Sequence, residues 1–228
     1  ADGPRSQVAR SLCLSYKNQI RDMSYAMQYI ASNTSFDNNE VLMFFGNDSA
    51  PGGYAWVIPK GGGVANIGLG LRRSHALKGV SIREYLRILL RHPQVKPYVG
   101  GMKIESRVSA LIPVGGPLKR TYTSNAVLVG DAAGHVMASN GGGIPTALIG
   151  GEIAGECASD HLEKGVSLSE YEEKWKNEIG TELYTALMIL RVADIVMNSN
   201  ALTSVAMNLV GSSGLESVIR CKLPLVLA

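Results

Sequence analysis

Short apolar runs occupy the first half of the chain and predict a β-sheet. The runs are rich in β-branched and aromatic residues, and polar or glycine-rich segments separate them, as expected of strands joined by turns. The predicted strands are residues 25–30, 41–45, 54–60, 64–71 and 101–113. Three glycines, residues 61–63, divide the third of these strands from the fourth, so we predict that the two form a hairpin.

Helical signals follow the hairpin and continue through the second half of the chain. Ser81 and Glu84 have the spacing of a capping box, and Pro93 sets the end of the helix that they begin. Further helices are predicted at residues 144–162, 169–197, 201–210 and 215–221. We therefore expect an antiparallel sheet with a covering helix, then a return to α/β structure, and a helical tail.

Composition narrows the class of protein. The chain has 228 residues, of which 46% are hydrophobic and 18% charged, so it is globular rather than disordered. A net charge of +3, with no long basic run and no interleaved aromatics, argues against nucleic-acid binding. The most apolar stretch, residues 185–210, is interrupted by Arg191 and Asp194. Each central charge costs about 2.5–3.5 kcal/mol in a bilayer, so we do not expect a transmembrane helix.

The cysteines and histidines predict no metal site. Neither set has the spacing of metal ligands, and the cysteines are far apart and odd in number. The residues are Cys13, Cys157, Cys221, His75, His92, His135 and His161. A reducing, cytoplasmic compartment fits this pattern, with the cysteines buried as small apolar residues.

One segment has the order expected of a cofactor site. Residues 126–129 are apolar and predict a buried strand that stops at Gly130, which places Asp131 at its carboxyl end. A run of three glycines, residues 141–143, then leads into a helix whose first turn can hold Pro145. Asp131 could accept hydrogen bonds from sugar-type hydroxyls, while the glycines expose backbone N–H groups at a positive helix end. The alternative is a loop and a glycine-rich turn in an ordinary α/β core.

The hairpin register decides the shape of one sheet face. With a three-residue loop, Trp56 lies opposite Gly68 and Tyr54 opposite Gly70. Two large rings then stand beside two positions without side chains, which leaves a groove. A two-residue loop would instead pair the rings with apolar side chains and give a solid core. We favour the groove, because two glycines on one strand face usually mark a close approach.

These segments carry a family resemblance. The GDAAG sequence at residues 130–134 and the downstream glycine run resemble the second FAD motif of the flavoproteins that include aromatic-ring hydroxylases and geranylgeranyl reductases. Residues 1–10 resemble the A-D-G-x-x-S-x-V-x-R segment of that group. Residues 51–70 are similar to the P-x-x-Y-x-W-x-F-P-K…A-N-V-G-x-G pattern of geranylgeranyl reductases, with Ile58 in place of Phe and Ile67 in place of Val.

The resemblance implies an α/β fold assembled from four parts. These are the end of a first FAD-domain part, an antiparallel-sheet substrate domain, a return of the FAD-binding domain of the aromatic-hydroxylase-like group, and a C-terminal helical region. Their expected ranges are residues 1–12, 13–114, 115–164 and 165–228. The chain has no G-x-G-x-x-G turn between a strand and a helix. We therefore expect the C-terminal portion of a longer flavoprotein that lacks its N-terminal dinucleotide-binding segment.

The resemblance also implies an activity, the saturation of geranylgeranyl double bonds with FAD as the hydride donor. The implied cofactor-binding residues are Asp2, Gly130, Asp131, Ala132, Gly134, Gly141, Gly142, Gly143 and Ile144. The implied substrate-binding residues are Tyr54, Trp56, Ile58, Gly68 and Gly70. The proton donor is not identifiable. Tyr54 and His135 are candidates, although Tyr54 also suits a pocket wall and His135 a surface position.

Other functions and several partners stay open. A flavin-dependent aromatic monooxygenase shares the GDAAG-type motif, and a non-catalytic lipid-binding or assembly module could use the same groove without flavin. The implied substrate is an isoprenoid lipid, with an archaeal-type membrane lipid precursor as first choice and the chlorophyll side chain as second. The electron donor could be NADPH or a ferredoxin. A cytoplasmic protein, peripheral to the membrane surface, would suit such a substrate.

Overall fold

The computed structural model describes residues 1–14, 23–37, 39–72, 74–75, 77, 79–197 and 199–219. Over these residues the chain divides into two compact units. The first unit comprises the N-terminal residues to Met23, the segment Ile112–Ala193, and the residues from Met207 onward. The second comprises Ser24–Leu111 and Asp194–Ala206.

A five-stranded sheet forms the centre of the second unit. The strands are β1 (Met23–Ser32), β2 (Leu42–Phe45), β3 (Tyr54–Gly61), β4 (Val64–Arg72) and β5 (Lys103–Pro113), in the spatial order β2-β3-β4-β1-β5. The pairs β1–β4, β2–β3 and β3–β4 are antiparallel. The predicted strands in this region are therefore confirmed, and none of their ends shifts by more than two residues.

The β3–β4 hairpin has the register expected of a three-residue loop. Trp56 pairs with Gly68 and Tyr54 with Gly70, while Gly61 pairs with Val64. The pairs up to Pro59 follow one register and the pair of Gly61 with Val64 follows another. A bulge between Pro59 and Gly61 joins the two. All three loop glycines have positive φ, at 86°, 59° and 72°, which glycine adopts without steric cost. A two-residue turn plus a bulge thus produces the predicted pairing.

One face of the sheet forms the main core with the covering helix α2 (Ile82–Arg91). Val57, Ile67 and Leu69 are fully buried there and pack with Leu86 and other residues of the helix. A fully buried Leu or Ile contributes roughly 1.5–3 kcal/mol by leaving water. The N-cap predicted for α2 is confirmed, because the Ser81 hydroxyl accepts the N–H of Glu84 at 3.3 Å. The helix ends before Pro93.

Four further α-helices lie outside the sheet and its covering helix over the described residues. They are α1 (Gln7–Ser11), α3 (Ile144–Lys164), α4 (Ser169–Val196) and α5 (Asn200–Ile219). In the first unit, Trp175 and Tyr171 of α4 are fully buried with residues of α3. The backbone of α5 is non-helical at Gly211, between the two tail helices predicted from sequence. The end predicted for the second tail helix lies outside the described residues. Within the described part of the chain, no helix is long and apolar enough to cross a membrane.

The prediction of a strand at residues 126–129 is wrong. The segment is extended, but it forms only an isolated bridge between Val127 and Tyr122. Backbone bonds of 2.7 and 2.8 Å to residues 121–123 complete its pairing. A ladder needs a neighbouring strand, and none of β1–β5 pairs with this segment over the described residues. The hydroxyl of Tyr171 holds it from α4 by donating to the Leu128 carbonyl at 2.7 Å.

Candidate cofactor and substrate sites

The carboxylate loop, residues 130–134, is a single 3₁₀ turn that reverses the chain after the extended Val129. Gly130 enters the turn with φ of 62° and Gly134 leaves it with φ of 72°, values that side-chain-bearing residues rarely adopt. The turn is closed by two backbone bonds, from Gly134 to Asp131 at 3.2 Å and from His135 to Gly130 at 3.0 Å. This geometry fixes the position of Asp131 at the first bend.

The structure brings Asp131 and the glycine run together. A β-carbon at Gly143 would lie 3.5 Å from Asp131 Oδ1 and 3.3 Å from Val136 Cγ2, so a larger residue would crowd the carboxylate. Gly143 is the N-cap of α3, and Pro145 lies in the first turn, as predicted. Burial raises the pKa of Asp131. A half-buried carboxylate beside a helix N-terminus is the arrangement that the sequence predicted for a polyhydroxylated, anionic ligand.

The other glycines of the site have structural roles. A β-carbon at Gly134 would lie 2.4 Å from the Gly116 carbonyl oxygen, so this glycine permits close packing of two backbone segments. The N–H of Gly142 donates to Asn140 Oδ1 at 2.7 Å, and that of Gly141 donates to the Met137 carbonyl at 2.8 Å. The expectation that the whole run exposes its N–H groups is therefore wrong for Gly141 and Gly142.

Two further residues of the predicted cofactor set, Asp2 and Ile144, lie in environments that differ from each other. The carboxylate of Asp2 accepts the N–H groups of Gln7 at 2.7 Å and Val8 at 3.1 Å, which caps α1. A hydrogen bond from the Ser6 side chain, together with these backbone bonds, lowers the pKa of Asp2 to about 2. Ile144 is 78% exposed at the start of α3. A ligand role for each stays a prediction, and Asp2 has a demonstrated capping role beside it.

His135 is buried, not at the surface as one sequence interpretation held. Its exposure is 0%, and its ring lies against Trp175 with centroids 4.5 Å apart. A β-carbon at Gly150 of α3 would lie 3.2 Å from Nδ1, so the ring fills a gap that this glycine leaves. Burial lowers the pKa of His135 to about 4. The ring is therefore neutral near pH 7 and packed among helices, which does not suit a proton donor.

The predicted substrate residues share the second face of the sheet, opposite α2; we call it the aromatic face. Tyr54 and Trp56 have ring centroids 5.6 Å apart, and Phe45 lies 6.0 Å from Tyr54. Phe45 belongs to the face because β2 pairs Phe45 with Tyr54. Phe45 is not among the predicted substrate-binding residues, although it is the last residue of a predicted strand. Ile58 lies on the same face and is 39% exposed.

The open groove expected beside the glycines does not form at Gly68. A β-carbon there would lie 2.6 Å from Trp56 Cζ2 and 2.7 Å from Cε2, so the indole already lies over this position. At Gly70 the nearest indole atom would be 3.9 Å away. The indole N–H donates to the side-chain oxygen of Gln28 on β1 at 3.3 Å. The glycines therefore accommodate the Trp56 ring itself.

Solved structures of other proteins share the fold of this chain. Over its whole length the chain superposes on a geranylgeranyl bacteriochlorophyll reductase-like protein of Thermoplasma acidophilum, with a TM-score of 0.75, 23% identity and 55% of that chain covered. A probable FAD-dependent monooxygenase of Pseudomonas aeruginosa follows, with a TM-score of 0.60 and 17% identity over 91% of this chain and 58% of that one. The chain therefore shares its fold with both of these proteins.

The family follows from sequence. Residues 22–102 match the geranylgeranyl reductase catalytic domain. The chain is 38% identical over 198 residues to digeranylgeranylglycerophospholipid reductase 2 of Methanothermobacter thermautotrophicus, covering 85% of this chain and 49% of that protein. The resemblance to the geranylgeranyl reductase family is thereby confirmed. The chain spans about half the length of the curated relatives it matches.

Proposed function

We propose that this chain is part of an FAD-dependent reductase that saturates double bonds of geranylgeranyl chains on a lipid. The observation that carries the proposal is the aromatic face, where Tyr54 and Trp56 stand in register with Gly70 and Gly68 inside the matched catalytic-domain region. The carboxylate loop alone would suit a flavin-dependent aromatic monooxygenase equally well. The names of the related reductases support the lipid substrate.

The residues of the first unit fit a flavin. Asp131 is half-buried beside the start of α3, and Gly143 leaves the approach to its carboxylate free of a side chain. Asp131 would accept hydrogen bonds from ribityl-type hydroxyls, while the N-terminus of α3 would favour negative charge. A helix end contributes about 0.3–1 kcal/mol to such a charge, and up to ~2 kcal/mol when it is partly buried. FAD supplies the hydride when it is bound.

The aromatic face of the second unit suits an isoprenoid chain. Phe45, Tyr54, Trp56 and Ile58 present apolar carbon along two neighbouring strands. Each buried CH₂ group is worth about 0.8 kcal/mol, so a long prenyl chain leaves a membrane only for a comparably apolar surface. Burial raises the pKa of Tyr54, which keeps its phenol protonated at neutral pH. A raised pKa makes the phenol a weaker acid, so Tyr54 stays a candidate proton donor to the alkene by its position on the aromatic face alone.

The finer assignments follow from the substrate class. A digeranylgeranyl lipid precursor of the archaeal type is the substrate that we favour, because the related reductases carry that substrate in their names. Such a lipid resides in a membrane, so the reductase would work from the cytoplasm as a peripheral protein at the bilayer surface. Its reducing equivalents would come from NADPH or a ferredoxin.

Anaerobic reduction of a prenyl lipid tests the proposal. The reduced, FAD-loaded full-length protein, of which this chain is a part, is incubated without oxygen with a geranylgeranyl lipid, and the products are weighed by mass spectrometry. Mass gains in steps of two hydrogens are the expected result. No gain with any prenyl substrate, together with substrate-dependent O₂ consumption in air, would favour the monooxygenase instead. Flavin in the purified protein excludes the non-catalytic module.

A further inference from the structure

We propose that Gln28 is a positioning residue, which holds the Trp56 indole across β4 and so sets the depth of the surface that receives the isoprenoid chain. The substrate part of this inference rests on the proposed function, whereas the positioning part rests on the second unit alone. Gln28 lies on β1, inside the matched catalytic-domain region but outside the motifs that carry the family resemblance.

The sheet register places three residues in one row. Gln28 pairs with Gly68 across β1 and β4, and Gly68 pairs with Trp56 across β4 and β3. The indole therefore reaches over a whole strand to meet the carboxamide on the far side. An indole N–H can only donate, so the oxygen of Gln28 must face it, as the 3.3 Å contact shows.

The middle strand is shaped to receive the ring. A β-carbon at Gly68 would lie 2.6 Å from Trp56 Cζ2 and 2.5 Å from the Gln28 β-carbon, so only glycine leaves room for both neighbours. At Gly70 the added carbon would meet Trp56 at 3.9 Å, in ordinary contact. Gly68 thus provides the space in which the indole lies flat. Gln28 supplies the polar contact that keeps the half-buried N–H satisfied in that position.

The position of the indole decides how deep the aromatic face is. While Trp56 lies flat, the space above Gly68 is filled and an apolar chain must rest on the outer side of the ring. Without an acceptor at Gln28, the ring gains by rotating its N–H toward water, because a buried unpaired donor is unfavourable. The space above Gly68 and Gly70 then opens. Gln28 would therefore restrict which prenyl chains fit productively.

Indole NMR tests the positioning step without reference to activity. This chain contains two tryptophans, Trp56 and Trp175, and Trp56→Phe assigns the indole N–H signal of Trp56 in the FAD-loaded protein. Gln28→Met keeps length and volume but removes the acceptor, and should shift the Trp56 signal and speed its hydrogen exchange. Gln28→Glu keeps an acceptor and should preserve protection. Trp175 donates to Thr121 Oγ1 at 2.9 Å and is the internal control. An unchanged Trp56 signal in Gln28→Met would overturn the proposal.

Substrate selectivity tests the functional step. We compare kcat/KM for farnesyl, geranylgeranyl and geranylfarnesyl substrates in wild type, Gln28→Met and Gln28→Glu, with flavin content measured in each. Gln28→Met should change the ratio between chain lengths by about tenfold, the scale set by one or two methylenes in a pocket. Flavin content should not change. Equal ratios in all three proteins would refute the specificity role. If wild type reduces no prenyl chain, the proposed function fails, while the NMR result still decides whether Gln28 positions Trp56.

Discussion

The imidazole of His135 lies against the indole of Trp175, with ring centroids 4.5 Å apart and the planes inclined by 48°. His135 directly follows the carboxylate loop, and its backbone N–H donates to Gly130 while its carbonyl accepts the Thr146 hydroxyl. The Trp175 N–H in turn donates to Thr121. One buried ring pair therefore connects the carboxylate loop, the first turn of α3 and the N-terminal part of α4.

We expect this pair to make the folded protein sensitive to acid. Burial lowers the pKa of His135 to about 4, whereas the unfolded chain has the ordinary value of 6.5. Between about pH 6.5 and pH 4, His135 is protonated in the unfolded chain but stays neutral in the folded protein. The free energy of unfolding therefore decreases across this window, by about 3 kcal/mol in full. Urea unfolding of wild type at pH 7 and pH 5 measures the decrease.

The variant His135→Phe isolates the contribution of the histidine. Phenylalanine retains a ring against Trp175 and removes two nitrogens that have no hydrogen-bond partner among the described residues. We expect stability at pH 7 to be maintained, because no neutral polar group is left unpaired. Between pH 7 and pH 5 the variant should lose less stability than wild type. An identical loss in the two proteins would contradict the assignment.

For Asp131→Asn we expect opposite effects on stability and on flavin binding. Because burial raises the pKa of Asp131, the charged carboxylate destabilises the cofactor-free fold above its ordinary pKa, and a neutral amide relieves that cost. Loss of a charged hydrogen-bond acceptor should weaken FAD binding by about 10- to 100-fold. The thermal midpoint without FAD and a flavin fluorescence titration measure the two effects.

Asp160→Asn is the matched control on α3. A hydrogen bond from Lys164 lowers the pKa of Asp160, so neutralising it should lower stability slightly and leave FAD affinity unchanged. If Asp131→Asn behaved like this control, Asp131 would be a structural carboxylate only.

Gly134→Ala should destabilise the carboxylate loop. Its β-carbon would lie 2.4 Å from the Gly116 carbonyl oxygen, and its φ of 72° strains any side-chain-bearing residue. We expect a loss of about 1–3 kcal/mol in the free energy of unfolding by urea. Gly151→Ala is the control, because its added carbon meets no atom within 4 Å and lies inside α3. That change should stabilise the protein by up to about 1 kcal/mol. Equal losses in the two variants would contradict the packing role of Gly134.

Local signals explain which parts of the site could be predicted from sequence. The pairing of Trp56 with Gly68 depends on strand alternation and a short loop, both of which are visible in the residues themselves. Pro145 and the glycine run likewise fix the start of α3. The role of Gln28 could not be predicted, because its partner Gly68 is forty residues away along the chain and meets it only through β1–β4 pairing. The burial of His135 could not be predicted for a similar reason, because it depends on Trp175 from α4.

The predictions that failed were those that needed a partner whose position the sequence does not give. Residues 126–129 have the composition of a buried strand, but burial against α4 satisfies an apolar segment as well as a ladder does. The glycine N–H groups were assigned to a ligand, whereas Asn140 accepts one of them locally. Asx-type bonds of this kind compete with ligands wherever Asn precedes glycines.

The two glycines under the aromatic face should respond differently to alanine. In Gly68→Ala the new carbon overlaps Trp56 at 2.6 Å and Gln28 at 2.5 Å, so the indole must leave β4 or the strands must separate. We expect a loss of about 1–3 kcal/mol in the free energy of unfolding, typical of an overpacked site. In Gly70→Ala the nearest atoms, Ser24 Oγ at 3.4 Å and Trp56 Cζ3 at 3.9 Å, are in ordinary contact. That variant should stay within about 0.5 kcal/mol of wild type. Urea unfolding followed by indole fluorescence measures both variants, and it also reports whether the Trp56 emission moves toward that of a solvated ring. A larger loss for Gly70→Ala than for Gly68→Ala would show that the indole does not lie across Gly68.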